Sequence, residues 1–184
     1  MERKFPIRSA DEIPASVRGT AIETFLRHHN FGENLDAVYA SAEMLVGMCM
    51  DHRHHLRIPE KFAYILRTGG GNLRYSEFKV SYAIAVGGAK AIALLAHTQC
   101  GMVDVASRRA LFIEGLVKNA GWHAEQAEEH FDHFAPMFEI GNEIDFVLAE
   151  SKRLRLRYPK IVVAPFLYAV EDNMLYGIRE TLAR

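Results

Sequence analysis

Two segments of the chain are apolar from end to end, while most of the rest alternates. Met44-Leu45-Val46-Gly47-Met48-Cys49-Met50 and Ala91-Ile92-Ala93-Leu94-Leu95-Ala96 are hydrophobic runs of strand length, the pattern of strands covered on both faces. A third run, Phe62-Ala63-Tyr64-Ile65-Leu66-Arg67, predicts a strand that ends at the turn Gly69-Gly70-Gly71-Asn72. Between the second and third strands, residues 77–86 read as a helix after a candidate N-cap at Ser76, closed by Gly87-Gly88. Further helices are predicted over 104–120, stopped by Gly121, over 124–134, stopped near Pro136, and over 143–157, stopped by Pro159. Strands over 161–164 with 166–168, and over 174–176, flank the turn Glu171-Asp172-Asn173. A short helix over 33–42 precedes the first strand, and before it lies an N-terminal helical extension, residues 1–30, that contains the pair His28-His29. Strand, helix, strand, helices, strand is the rhythm of an α/β fold with a mainly parallel β-sheet flanked by helices. No repeat or linker divides residues 1–184, so one domain is expected.

Composition narrows the partners. Lys and Arg number 22 against 23 Asp and Glu, so there is no field to draw in nucleic acid or an anionic membrane surface. The longest run free of Asp, Glu, Lys and Arg, residues 91–103, holds His97, Thr98 and Gln99 and is short of the roughly 20 apolar residues that span a bilayer. The amino terminus lacks the apolar core of a signal peptide, and two cysteines, Cys49 and Cys100, are too few for a disulfide scaffold. A cytoplasmic protein with reduced thiols, binding neither nucleic acid nor membrane, is the expectation.

Both cysteines fall at predicted strand ends. In Cys49-Met50-Asp51-His52-Arg53, extended alternation would project Cys49, Asp51 and Arg53 to one side and Met50 and His52 to the other. The plainer account is an ordinary Asp-Arg ion pair beside a buried cysteine. In His97-Thr98-Gln99-Cys100-Gly101 a histidine and a cysteine three apart across a tight turn can reach one metal ion, with Gly101 allowing the turn. A chance match or a buried His-Cys pair also produces this spacing. Ligands of open parallel sheets bind outside the carboxyl ends of the strands, where both motifs sit. Two thiolates and an imidazole would supply three corners of a tetrahedron suited to zinc, and an open fourth corner separates catalytic from structural sites.

The two motifs in this order resemble those of the β-class carbonic anhydrases, CxDSR followed by HxxCG. The resemblance continues through Arg67-Thr68-Gly69-Gly70-Gly71-Asn72 and Ser81-Tyr82-Ala83-Ile84-Ala85-Val86, more faintly to Phe166-Leu167-Tyr168, and covers about residues 44–178. It implies Zn²⁺ held by Cys49, His97 and Cys100. It implies a catalytic dyad of Asp51 and Arg53, in which the arginine orients the aspartate toward zinc-bound water or releases it to become the fourth ligand. The activity implied is reversible hydration of carbon dioxide to bicarbonate by a zinc lyase. A homodimer or higher homo-oligomer is implied too, with the extension packing on a partner.

Departures from the family pattern bear on the substrate. His52 replaces the usual serine, the 48 positions from Cys49 to His97 form a shorter span than in typical members, with the loss in the 57–62 connection, and no glutamine precedes Cys49. Relatives on this scaffold hydrolyse carbonyl sulfide or carbon disulfide with the same zinc set. A non-catalytic zinc-binding or redox-sensing relative, with Cys49 and Cys100 as zinc-releasing thiols, is the alternative of another class. His123, His130 and His133 are read as part of a solvated charged helix, and His54-His55 as an exposed polar loop rather than a proton shuttle. The basic run Lys152-Arg153-Leu154-Arg155-Leu156-Arg157 suits the negative end of a helix dipole.

Overall fold

In the computed structural model, which describes residues 3–34 and 37–180, a six-stranded sheet runs in the order β1-β6-β5-β4-β2-β3. The strands are β1 (Lys4–Pro6), β2 (Met44–Cys49), β3 (Ala63–Thr68), β4 (Ala91–His97), β5 (Val162–Ala169) and β6 (Met174–Ile178). Strands β3, β2, β4 and β5 are mutually parallel, and β6 and β1 add antiparallel at one edge. The sheet is thus mostly parallel, as its apolar runs predict. Every residue of β2 and β4 is buried. At Gly47 strand β2 passes close to Leu73 and Leu94: a Cβ there would lie 2.7 and 2.9 Å from their methyl groups, which would have to move.

Five α-helices lie among the described residues: α1 (Ala21–Phe31), α2 (Glu77–Ala85), α3 (Arg109–Ala120), α4 (Ala124–Phe138) and α5 (Glu143–Arg157). One core joins Ile22, Phe25 and Leu26 of α1 to Val46, Met48 and Leu95. A second joins Val80 of α2 and Val147 and Leu154 of α5 to Leu45, Ile92 and Leu94. Both faces of the parallel strands are therefore covered, the setting such strands need. None of the helices is long and apolar enough to cross a membrane.

Several boundaries differ from the sequence reading. The helix expected over 33–42 is absent from its described residues, with 35 and 36 outside them; the helix instead ends at Phe31, where Gly32 takes a left-handed φ of 69°. The extension contributes β1, α1 and the buried Ile7, Ile13 and Val17 to this chain's own core. Asp104 has a φ of 53° and cannot begin a helix, so a 3₁₀ turn over Val105–Arg108 precedes α3. Helix α4 continues through Pro136 to Phe138; the bond the proline cannot make is to the carbonyl of Asp132, an exposed residue whose carbonyl water can reach instead. Strand β5 is continuous through Pro165. Pairing with β6 begins only at Phe166, so the proline sits where the strand has a neighbour on one side alone.

Candidate metal centre

The parallel register places the carboxyl ends of β2 and β4 side by side, with Met48 opposite Leu95. Cys49 closes one strand and His97 the other. The chain then folds back over Thr98 and Gln99, and the left-handed φ of 57° at Gln99 turns Cys100 under the strand ends. Gly101, expected to make this turn, has no positive φ and open space where a Cβ would stand; the reversal falls on Gln99 instead. Its strain is held by contacts: Thr98 Oγ1 and Gln99 Nε2 each donate to Glu171 at 2.8 Å, and Thr98 N donates to Tyr168 O at 3.0 Å.

The structure thereby brings together Cys49, His97 and Cys100, all buried, with their ligating atoms within 4.8 Å of one another. His97 Nδ1 lies 2.9 Å from the carbonyl oxygen of Thr98. That oxygen can only accept, so Nδ1 carries the hydrogen and Nε2 is left with its lone pair. Nε2 is buried with no hydrogen-bond partner in the protein, an arrangement that is costly unless something binds it. A hydrogen bond from Cys100 is the main influence lowering the pKa of the Cys49 thiol, against burial and with help from His97. The hydrogen bond to Cys49 and burial push Cys100 up. Two soft sulfur donors and one oriented imidazole nitrogen form a set that fits a borderline-soft metal ion.

Asp51 stands beside this group without joining it. The alternation expected to bring Arg53 to it does not persist, since β2 ends at Cys49. An Asx turn does the work: Arg53 N donates to Asp51 Oδ1 at 2.9 Å, and the guanidinium adds bonds of 2.9 Å to Oδ1 and 2.7 Å to Oδ2. These bonds hold the Asp51 carboxyl well below the usual carboxylate range, although partial burial pushes the other way. The remaining Arg53 donors reach Gln99 Oε1 at 3.2 Å and Gln99 O at 3.0 Å, so one guanidinium joins the Cys49 and Cys100 loops. Arg67 donates to Asp51 O at 3.2 Å, and His52 is exposed.

Other neighbours were not legible as such. Cys100 N donates to Glu143 at the start of α5 at 3.4 Å. His54, read as exposed, is buried against His97, and burial depresses its pKa to about 4. A cleft of about 560 Å³ opens beside the group, with Met50, Met102, Phe112, Phe131, Phe134 and Phe138 in its walls. Met102 also packs against both cysteines.

No family model matches the chain, and no curated protein matches it in sequence. Solved structures do. A carbonic anhydrase from Glaciozyma antarctica matches with 21% identity over 79% of this chain and 88% of that one, at a TM-score of 0.56. A carbonic anhydrase from Streptococcus mutans matches with 19% identity over the same shares, at 0.58. The apo form of a carbon disulfide hydrolase matches with 20% identity over 78% and 88%, at 0.53. The chain thus has the β-carbonic anhydrase fold, as its motifs suggest, and is a divergent example of it. Within that fold it carries a buried Cys-His-Cys group able to hold a metal ion.

Proposed function

We propose that the protein is a zinc enzyme of the β-carbonic anhydrase type, a cytoplasmic lyase that hydrates carbon dioxide reversibly to bicarbonate. The observation that carries this reading is the Asp51–Arg53 pair, joined by three hydrogen bonds and set beside the three donors as a separate group. A site that served folding alone would have no need of an ionised acceptor at its open side. Cys49, Cys100 and His97 through Nε2 would hold the zinc, which when bound supplies the Lewis acidity that makes water nucleophilic near neutral pH. Asp51, which when ionised can only accept, takes the hydrogen bond of the attacking water and so directs an oxygen lone pair at the substrate carbon. Arg53 keeps that carboxylate charged and aimed. A reducing compartment suits both thiol ligands.

One observation favours a sulfur analogue, carbonyl sulfide or carbon disulfide, as a second reading. A cleft that reaches Met50, next to Cys49, and Met102 has methionine and phenylalanine in its walls together with Arg67, Thr68 and His130, and its apolar part suits a poorly hydrated linear molecule. Stopped-flow assay of the zinc-replete protein on the three substrates tests both readings. We expect kcat/KM of at least about 10⁴ M⁻¹s⁻¹ on carbon dioxide, or on a sulfur analogue under the second reading. Full zinc occupancy with no turnover of any of the three contradicts the enzyme reading.

We propose further that two copies pair through the β3 edge. Tyr64 and Ile65 of β3 and Phe78, Tyr82 and Val86 on and after α2 are exposed, Phe78 by 81%. A sheet edge beside such a surface is a common association site. The N-terminal extension spends its apolar side on its own sheet, so contact with a partner would fall to its polar side. Light scattering on the wild type should give the mass of two chains or a multiple of it, and Ile65→Glu with Phe78→Glu the mass of one. A monomeric wild type at micromolar concentration contradicts this arrangement.

A further inference from the structure

We infer that His54 is a positioning residue that fixes the ring of His97, an inference that rests on the metal-centre reading above. Its imidazole is 5% exposed and meets the His97 ring edge to face, with centroids 4.4 Å apart and planes at 82°. On another side it packs on Tyr168, at 4.8 Å and 65°. Neither ring nitrogen of His54 has a hydrogen-bond partner in the protein, so what it gives its surroundings is the shape and face of its ring.

That shape falls where the ligand set is loosest. The bond from His97 Nδ1 to Thr98 O ties one corner of the imidazole, but the terminal torsion of a histidine is broad and roughly two-fold. In the inferred role His54, packed edge to face on His97, restricts that torsion and so keeps Nε2 directed at the sulfurs. Groups that orient a ligating histidine typically account for about 10–100-fold in metal affinity.

The segment carrying His54 is itself anchored at several points. The Asx turn at Asp51 fixes it before His54. After it, His55 N donates to the Tyr168 hydroxyl at 3.0 Å, and that hydroxyl donates to Asn173 Oδ1 at 2.6 Å. Tyr168 is fully buried and stands opposite His97 in the β4–β5 register. Two residues further on, Arg57 N donates to Nδ1 of His29 at 3.1 Å, and the His29 ring lies 6.2 Å from that of Tyr168. Helix α1 thus buttresses the segment that holds His54 against the ligand.

The test uses the full chain loaded with cobalt(II) and titrated with a competing chelator, with the visible absorption spectrum recorded at each step. His54→Phe, which keeps a flat ring, should hold metal affinity within about 3-fold of wild type and leave the cobalt bands in place. His54→Ala should lower affinity by about 10–100-fold and shift or broaden the bands, while melting of the metal-free protein shows it folded. Should the alanine variant not fold, His54→Leu, which fills volume without a ring edge, carries the same expectation. An alanine or leucine variant with wild-type affinity and spectrum overturns the positioning role, as does a folded phenylalanine variant as weak as alanine. A wild type that takes up no cobalt sinks the metal-centre reading itself, a result distinct from either.

Discussion

Replacing Cys100 with serine should strip the metal and leave the fold. The side chains differ little in size, and the turn that carries residue 100 is held by backbone bonds, Cys100 N to Glu143 and Val103 N to Cys100 O. Chemistry changes more than shape. A hydroxyl stays protonated where a thiol paired with Cys49 can become a thiolate, and it offers a harder donor to a borderline-soft ion. Structural zinc sites in peptides bind with about 10–16 kcal/mol, and on that scale one ligand of the set accounts for roughly 3–5 kcal/mol, or about 10²–10⁴-fold in affinity. Elemental analysis after dialysis against a weak chelator should show about one zinc per wild-type chain and less than about a tenth per Cys100→Ser chain, with the circular dichroism of the two alike. Equal zinc in the two proteins would mean that Cys100 is not a ligand.

Asp51→Asn should produce the opposite split, with metal retained and turnover lost. Asp51 lies outside the three-donor group, so the variant keeps all three donors proposed to hold the metal. What it alters, in the proposed reaction, is the acceptor for the attacking water. An asparagine amide is neutral, presents one acceptor oxygen rather than two, and cannot receive the paired Arg53 bonds that now fix Asp51. Loss of a positioned acceptor of this kind typically costs about 10²–10⁴-fold in kcat. Zinc content and kcat measured on one preparation check it. A variant depleted of zinc would make Asp51 a ligand, and one with full activity would remove it from the reaction.

What the sequence revealed and what it hid follow from how local each feature is. Strands β2 and β4 could be read directly because burial on both faces leaves an unbroken apolar run in each. The three donors could be read because Cys49 and His97 sit at the ends of such runs, with Cys100 in the turn three residues beyond His97, and the sheet does the rest by placing β2 next to β4. The Asp51–Arg53 pair was anticipated, but through strand alternation; an Asx turn delivers it. The turn beside Cys100 pointed to Gly101, yet the left-handed residue is Gln99, whose conformation is stabilised by Glu171 far along the chain. His54 was illegible for the same reason. A histidine pair in a polar stretch reads as solvent-exposed, and what buries His54 is Tyr168 on β5 together with His97. Pro136 and Pro165 misled because their effect depends on position within the helix or sheet. Within the extension Thr20 caps α1, but only the docking of α1 on β6 and β4 shows that the extension belongs to the core.

The central claim is that Cys49, His97 and Cys100 make one metal centre with an open side toward Asp51. X-ray absorption at the zinc edge of the wild-type protein reads that ligand set directly. The expected shell holds two sulfurs at about 2.3 Å and two nitrogen or oxygen atoms at about 2.0–2.2 Å, one of them the His97 nitrogen. A shell with no sulfur, or with four, would contradict it.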